Sequence, residues 1–202
     1  MTVTYEVGTG LYVNMTNKCT NACDFCIRNN GEGAYGSDPL WLEREPEKEE
    51  VLADIEKNWS KGQYTELVFC GYGEPACRLY DMLWVCKMLK EKYSDIKIRL
   101  NTNGQSDLIW QTDTAPLYEG LIDSISISLN SADAQKYQAV CHSVYGEAAY
   151  GAMLRFASRV KQYVPDVALS VVRGFLSEED ITVCQHIADE AGVRLRVREY
   201  IS

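Results

Sequence analysis

The chain has 202 residues, 46% hydrophobic and 24% charged, enough to bury a sizeable single core without covalent staples. Its 29 acidic residues outnumber 20 basic ones, a net charge of −9 that argues against direct nucleic-acid binding as the main role. No apolar run approaches the ~20 residues of a membrane span, and MTVTYEVGTGLYV lacks the basic-then-apolar order of a signal peptide. The expected setting is cytoplasmic, with no membrane association and the eight cysteines reduced or metal-bound.

Taken in chain order, β-rich runs alternate with helical patterns. Strands are expected at 11–16 (LYVNMT), 65–70 (TELVFC), 97–102 (KIRLNT), 124–130 (SISISLN), 167–172 (VALSVV) and 194–200 (RLRVREY). Helices are expected at about 46–61, 80–93, 133–140, 146–163 and 177–191, with a weaker pattern over 106–118. Ser177 ahead of Glu178, Glu179 and Asp180 suits a helix start, and Gly62 and Gly192 suit helix stops.

This alternation implies parallel βαβ units with right-handed crossovers. Four of the six strands are one-sided. Ser124, Ser126, Ser128 and Asn130 oppose Ile125, Ile127 and Leu129; Lys97, Arg99, Asn101 and Asn103 oppose Ile98 and Leu100. Tyr12, Asn14 and Thr16 oppose Leu11, Val13 and Met15; Arg194, Arg196, Arg198 and Tyr200 oppose Leu195, Val197 and Ile201. Strands covered on both faces are apolar throughout, and a closed barrel fills with bulky aliphatics. The pattern therefore predicts an α/β fold, an open partial (β/α)6 barrel of six parallel strands whose polar side lines a lumen. A solvent-exposed sheet face is the simpler alternative.

Cys19, Cys23 and Cys26 form CTNACDFC directly after the first strand, where parallel α/β folds bind ligands. Three buried small hydrophobes are hard to reconcile with flanking Asn17, Lys18, Thr20, Asn21 and Asp24. A closed zinc site wants four ligands, and His142 and His186 are remote in sequence. Three thiolates suit a 4Fe–4S cluster with one iron left open.

The spacing CxxxCxxC, with Phe25 before the last cysteine, resembles the signature of radical S-adenosylmethionine (radical SAM) enzymes. FCGYGEP (69–75) resembles that family's glycine-rich GGEP element, with Tyr72 in place of the first glycine. LNTNG (100–104) and SISLNS (126–131) resemble its cofactor-facing strand ends. The resemblance implies Cys19, Cys23 and Cys26 as cluster ligands, and Phe25, Gly73, Glu74, Asn101, Ser128 and Asn130 around S-adenosyl-L-methionine, whose amino and carboxylate groups take the open iron. Residues 1–202 would then form a single radical SAM core domain with no auxiliary-cluster domain. The implied activity is reductive cleavage of S-adenosylmethionine to a 5′-deoxyadenosyl radical that abstracts hydrogen from an unidentified substrate. A flavodoxin- or ferredoxin-type reductant is an expected partner.

The wording MTNKCTNACDFCIR, GYGEP, LNTNG and RVREY further resembles a compact subfamily associated with TatD-type nucleases, implying a functional link to such a nuclease. An activase placing a glycyl radical on a protein partner, a non-turnover cluster- and SAM-binding sensor, and a structural zinc module are the competing readings. Arg173 is either a contact to the cofactor carboxylate or a surface arginine. Cys86 and Cys184 fall in helical patterns and read as core, while Cys77 and Cys141 are thiols nearer the expected active face. NNGEGAYGSDPLW (29–41) is either a substrate or partner loop, or the connection from the cysteines to the first helix.

Overall fold

In the computed structural model, which describes residues 1–62 and 64–199, the chain opens on a hairpin absent from the expected strand pattern. β1 (Thr4–Val7) pairs antiparallel with β2 (Gly10–Val13), Val7 opposite Gly10, leaving Gly8-Thr9 as a two-residue turn. Gly8 has φ 58, the glycine-first pattern of type II′ turns, whose twist matches that of paired strands.

The remaining elements alternate as expected. They are α1 (Lys48–Trp59), β3 (Glu66–Phe69), α2 (Leu79–Lys92), β4 (Ile98–Thr102), α3 (Ser106–Trp110) and β5 (Ser124–Ser128), then α4 (Ala134–Cys141), α5 (Ala148–Val160), β6 (Asp166–Val172), α6 (Glu178–Ala191) and β7 (Arg194–Arg198). Ser177 caps α6 by accepting from the Asp180 N–H, and Gly192 ends it at φ 69. The helical pattern over 106–118 stops at Trp110 because Gln111 turns left-handed, φ 52, and residues 115–118 form a separate 3-10 turn containing Pro116. Tyr200 and Ile201, expected in the last strand, lie outside the described residues.

The sheet is mixed and mostly parallel. Its order is β1 to β7 in sequence, and every pair from β2 onward is parallel. Among the described residues six parallel strands are present as expected; the correction is a seventh, β1, antiparallel on the β2 edge. An order that never reverses, with right-handed crossovers, puts all crossover helices on one face. A doubly wound sheet would reverse and cover both.

That one-sidedness sorts the side chains. Leu11, Val13, Leu67, Phe69, Ile98, Leu100, Ile125, Ile127, Leu129, Leu169 and Val171 face the helices and are fully buried with Val51, Ile55, Met82, Met153 and Phe156. Each such side chain contributes about 1.5–3 kcal/mol by leaving water. On the opposite face, register aligns Asn101, Ser126 and Ala168 in one row and Ser128 with Ser170 in the next. These residues are too small to fill the space they border. Segment 27–42 folds back over the β1–β2 end of this inner face, where Ala34 and Leu40 pack with Tyr5 and Tyr72.

Candidate metal centre and cofactor cleft

β2 ends at Val13, and the chain then runs through Asn14 and Thr16, both buried, into the cysteine loop. Backbone hydrogen bonds strap this loop to the end of α4: Ala22 N–H to Cys141 O at 3.0 Å, Asp24 N–H to Val140 O at 3.0 Å, and Val144 N–H to Thr20 O at 2.9 Å. The His142 ring and the Asp24 carboxylate meet at 2.8 Å on the outside. Beneath the loop sits Gln105, fully buried. Its amide nitrogen donates to Asn21 Oδ1 at 2.8 Å and the Tyr137 hydroxyl at 3.0 Å, while its oxygen accepts from Thr20 and Ser143 hydroxyls at 2.8 and 3.1 Å. All four bonding positions of the amide are used, so the network fixes the loop rather than leaving polar groups orphaned.

The glycine element closes the other side. A Cβ on Gly73 would lie 2.3 Å from Thr16 O and 2.7 Å from Lys18 O, and one on Gly71 would lie 2.2 Å from Asn14 Oδ1. These glycines allow the β3 end to press against the chain entering the cysteine loop, and Glu74 N–H donates to Lys18 O at 2.7 Å. Gly73 is thus required by chain-to-chain packing. Tyr72, where the expected element has glycine, turns away: its hydroxyl donates to Gly31 O at 2.9 Å and its ring meets Trp41 edge-on at 5.1 Å. It pins the 29–41 segment.

Glu74 is 4% exposed. Its carboxylate accepts from Ala76 N–H at 3.0 Å, the Thr102 hydroxyl at 2.7 Å and Asn103 N–H at 2.7 Å. Burial pushes its pKa up, opposed by those three donors. Glu74 therefore joins the ends of β3 and β4 and has about one acceptor position left for a ligand.

Cys19, Cys23, Cys26, Phe25, Gly73, Glu74, Asn101, Ser128 and Asn130 all line one cleft of about 240 Å³, together with Cys70, Asn103, Tyr35 and Arg198. The three cysteines are half-buried and unpaired. Burial, then the Glu74 charge, pushes the Cys19 thiol up to about 12; burial raises Cys26; a hydrogen bond with Cys141 and then burial raise Cys23. Such thiols stay protonated alone and release their protons to a metal. Among the described residues, no three Cys, His, Asp or Glu side chains converge on one ion position. A 4Fe–4S cluster takes one thiolate per iron and does not need all of them on one ion. Asn130, at φ 58, donates to Cys141 Sγ at 3.7 Å, but its buried Oδ1 has no partner among the described residues. An unpaired buried acceptor in a cleft lined by three thiols fits a resident polar group.

The structure also sorts the remaining candidates. Arg173 pairs at the surface with Glu178 and Glu199, at 2.7 and 3.5 Å. Cys86 and Cys184 are fully buried core residues. Cys70 lies in the cleft, while Cys77 does not line it. Gln105, Tyr137 and Ser143 carry no signal beyond a polar residue after an Asn-Gly turn, within a helix or just past its end.

A singly wound α/β sheet with a cysteine loop and glycine element at one strand end defines a protein built to hold a thiolate-ligated centre beside a polar chamber. The family model for the Radical SAM superfamily matches residues 13–184, and the chain belongs to that superfamily, whose members use a 4Fe–4S cluster and S-adenosylmethionine. It is 28% identical over 134 residues to the probable GTP 3',8-cyclase of Methanosarcina mazei, spanning 65% of this chain and 36% of that protein. Among solved structures, Streptococcus suis SuiB superposes with TM-score 0.69 at 17% identity, over 96% of this chain and 40% of SuiB. A radical SAM methyltransferase from Sphaerobacter thermophilus does so with TM-score 0.69 at 16% identity, over 94% of this chain and 55% of the other. These structures share the fold, and the chain spans well under two thirds of the cyclase and of SuiB.

Proposed function

We propose that this chain is the catalytic core of a radical SAM enzyme whose cluster is held by Cys19, Cys23 and Cys26. The observation that carries this reading is the convergence of those three thiols with Glu74, Asn101, Ser128 and Asn130 on one cleft. When bound, a 4Fe–4S cluster and S-adenosylmethionine supply one-electron reductive cleavage to a 5′-deoxyadenosyl radical. The chain's own part is positional. The Gln105 network and the α4 straps hold the cysteine loop, and Glu74 fixes β3 against β4. Asn101, Ser128 and the unpaired Asn130 Oδ1 offer hydrogen bonds to polar cofactor groups. Segment 27–42 shields one side of the cleft from water.

We further read the sheet as the partial (β/α)6 barrel of this family, with β1 appended, and residues 1–202 as one core domain. A flavodoxin- or ferredoxin-type reductant is the proposed electron source. Assignment to the TatD-associated subfamily, and a link to a TatD-type nuclease, rest on the sequence wording alone. Among the described residues no helix is long and apolar enough to cross a membrane; a cytoplasmic setting is part of the proposal.

The test is anaerobic reconstitution. It should give a 4Fe–4S absorption spectrum and, with dithionite and S-adenosylmethionine, 5′-deoxyadenosine. Cys19→Ala, Cys23→Ala or Cys26→Ala should each abolish both. A colourless zinc protein, or a loaded cluster that binds S-adenosylmethionine without cleaving it, would refute the reading.

A further inference from the structure

The inner face carries a second feature, outside the residues assigned above to the cluster and cofactor. Along β7, Arg194, Arg196 and Arg198 share the lumen side, in register with Ala168, Ser170 and Val172 of β6. Arg194 is paired, its guanidinium donating to both Asp166 oxygens at 2.8 and 2.7 Å. Across the floor on β4, Arg99 is also paired, donating to both Glu66 oxygens at 3.0 and 2.8 Å and to the Tyr12 hydroxyl at 3.1 Å. Arg196 and Arg198 have no ion-pair partner among the described residues. Among the described residues, neither the buried Nε of Arg198 nor the buried Oγ of Ser170 on the same floor has a hydrogen-bond partner.

The arginines are close enough to feel one another. The pKa of Arg196, an exposed residue, is depressed by its partial desolvation and then by the like charges of Arg99 and Arg198. Burial pushes the Cys70 thiol up, and Arg198 and Arg99 together oppose that push; the Tyr35 hydroxyl shows the same pattern. Arg99 and Arg196 stand on strands three places apart, so their fields meet across the row of small residues, Ser126, Ala168, Ser128 and Ser170. The carboxylates nearby are committed: Glu66 to Arg99, Asp166 to Arg194, Glu199 to Arg173, and Glu74 to three donors from its own neighbourhood. In a chain with a net charge of −9, an inner face carrying two guanidinium groups without an ion-pair partner among the described residues, one of them lining the cleft, is a local reversal of sign. Cations facing one another with no counter-ion are unfavourable, and an oxyanion accepting from their forks relieves the repulsion.

We propose that Arg196 and Arg198, with Arg99 opposite, form an oxyanion-binding floor in the lumen that takes the carboxylate or phosphate group of a small anionic substrate. Arg198, the last residue of β7, lines the cleft that also holds the three cysteines, so an anion held there lies in the same cleft as them. The serine and alanine row leaves room for it. This inference rests on the proposed function only for calling the ligand a substrate; the anion site stands or falls separately.

The experiment is a thermal-unfolding titration of the full chain, as purified and after cluster reconstitution, with inorganic phosphate or acetate, each at constant ionic strength against chloride. One of the two should raise the melting temperature several degrees above the chloride control. A larger response to phosphate assigns a phosphoryl group, and a larger response to acetate assigns a carboxylate. Arg196→Gln and Arg198→Gln should each weaken the apparent affinity at least fivefold, whereas Arg173→Gln, at an exposed surface pair, should respond as wild type does. Without added anion, Arg196→Gln should melt at or above the wild-type temperature, because a repelling charge has gone. If Arg198→Gln fails to fold, Arg196→Gln, at an exposed position, carries the test alone.

Equal responses to both anions and to chloride, or an unchanged titration in Arg196→Gln, would overturn the proposal. So would an Arg198→Gln variant that loses S-adenosylmethionine binding while keeping its anion response, since the arginine would then serve the cofactor. Loss of 5′-deoxyadenosine formation with anion binding intact would count against the proposed function and leave the anion floor standing.

Discussion

The side-chain amide of Gln105 donates to the Tyr137 hydroxyl at 3.0 Å, and Asn21, from the cysteine loop, donates to that same hydroxyl at 3.0 Å. Three segments far apart in sequence are thereby locked together under the site. Gln105→Ala would strand Asn21, Tyr137, Thr20 and Ser143 with unmet hydrogen bonds. The expected cost is about 2–4 kcal/mol, at roughly 1–3 kcal/mol for each buried group left unpaired with partial relaxation. Urea unfolding of the metal-free chain measures it, and a loss below about 0.5 kcal/mol would contradict a role as the hub.

Gly73→Ala would place a methyl 2.3 Å from the Thr16 carbonyl oxygen, and the obstruction is backbone. The chain must shift, at roughly 1–3 kcal/mol, and the part that shifts is the approach to Cys19. Iron bound per chain after reconstitution should fall well below wild type. Gly8→Ala is the control. It meets nothing within 4 Å but sits at φ 58, so it should lose about 1–2 kcal/mol of stability with iron loading unchanged. Equal iron loading in both variants would remove the distinction.

Tyr72→Phe deletes the hydrogen bond to Gly31 O while keeping the ring against Trp41. Amide exchange over residues 31–39 should quicken, while global stability falls only about 1 kcal/mol. Tyr72→Gly also removes the ring contact and should quicken exchange further. Unchanged exchange in both would show that Tyr72 does not pin the segment.

Burial, with the Asp180 charge adding to it, pushes the Cys184 thiol up to about 11. Because the folded-state value is raised, its contribution is intact below the unfolded thiol's pKa of about 8.5 and is lost as pH rises toward 11. Cys184→Ala opens a cavity and should be less stable than wild type at pH 7. The gap should narrow between pH 8.5 and 10.5, by a total of the order of 2 kcal/mol. Denaturation midpoints at pH 7, 9 and 10 decide it, and a gap that stays constant would refute the shift.

Much of this architecture was readable in advance because burial leaves a period-two trace. Ile125, Ile127 and Leu129 against Ser124, Ser126 and Ser128 gave both the strand and its open side, and parallel register carried that side to Asn101 and Ser170. β1 escaped because TYEV mixes polar and apolar residues without a buried face of its own: one residue of its four is buried. The 106–118 pattern misled because hydrophobic spacing is blind to the left-handed turn at Gln111. At the site, cysteine spacing and strand ends pointed to the cleft-lining residues. The reason for Gly73 did not follow, since close approach of backbone to backbone and of backbone to ligand leave the same glycine. Gln105 was invisible: a glutamine after an Asn-Gly turn looks solvated until the fold closes over it.

The straps between the cysteine loop and the end of α4 tie a chemical event to a mechanical one. Whatever loads onto Cys19, Cys23 and Cys26 must stabilise the strapped arrangement over the open one, by mass action on the native state. The amide hydrogens of Ala22, Asp24 and Val144 are the ones spent on those straps. Their exchange rates therefore act as a built-in occupancy gauge, readable by mass spectrometry without a chromophore or turnover. A slowing confined to these amides on cluster loading would report that the loop has been set. It would also show that helix α4, whose terminal Cys141 meets Cys23, is part of how the centre is held.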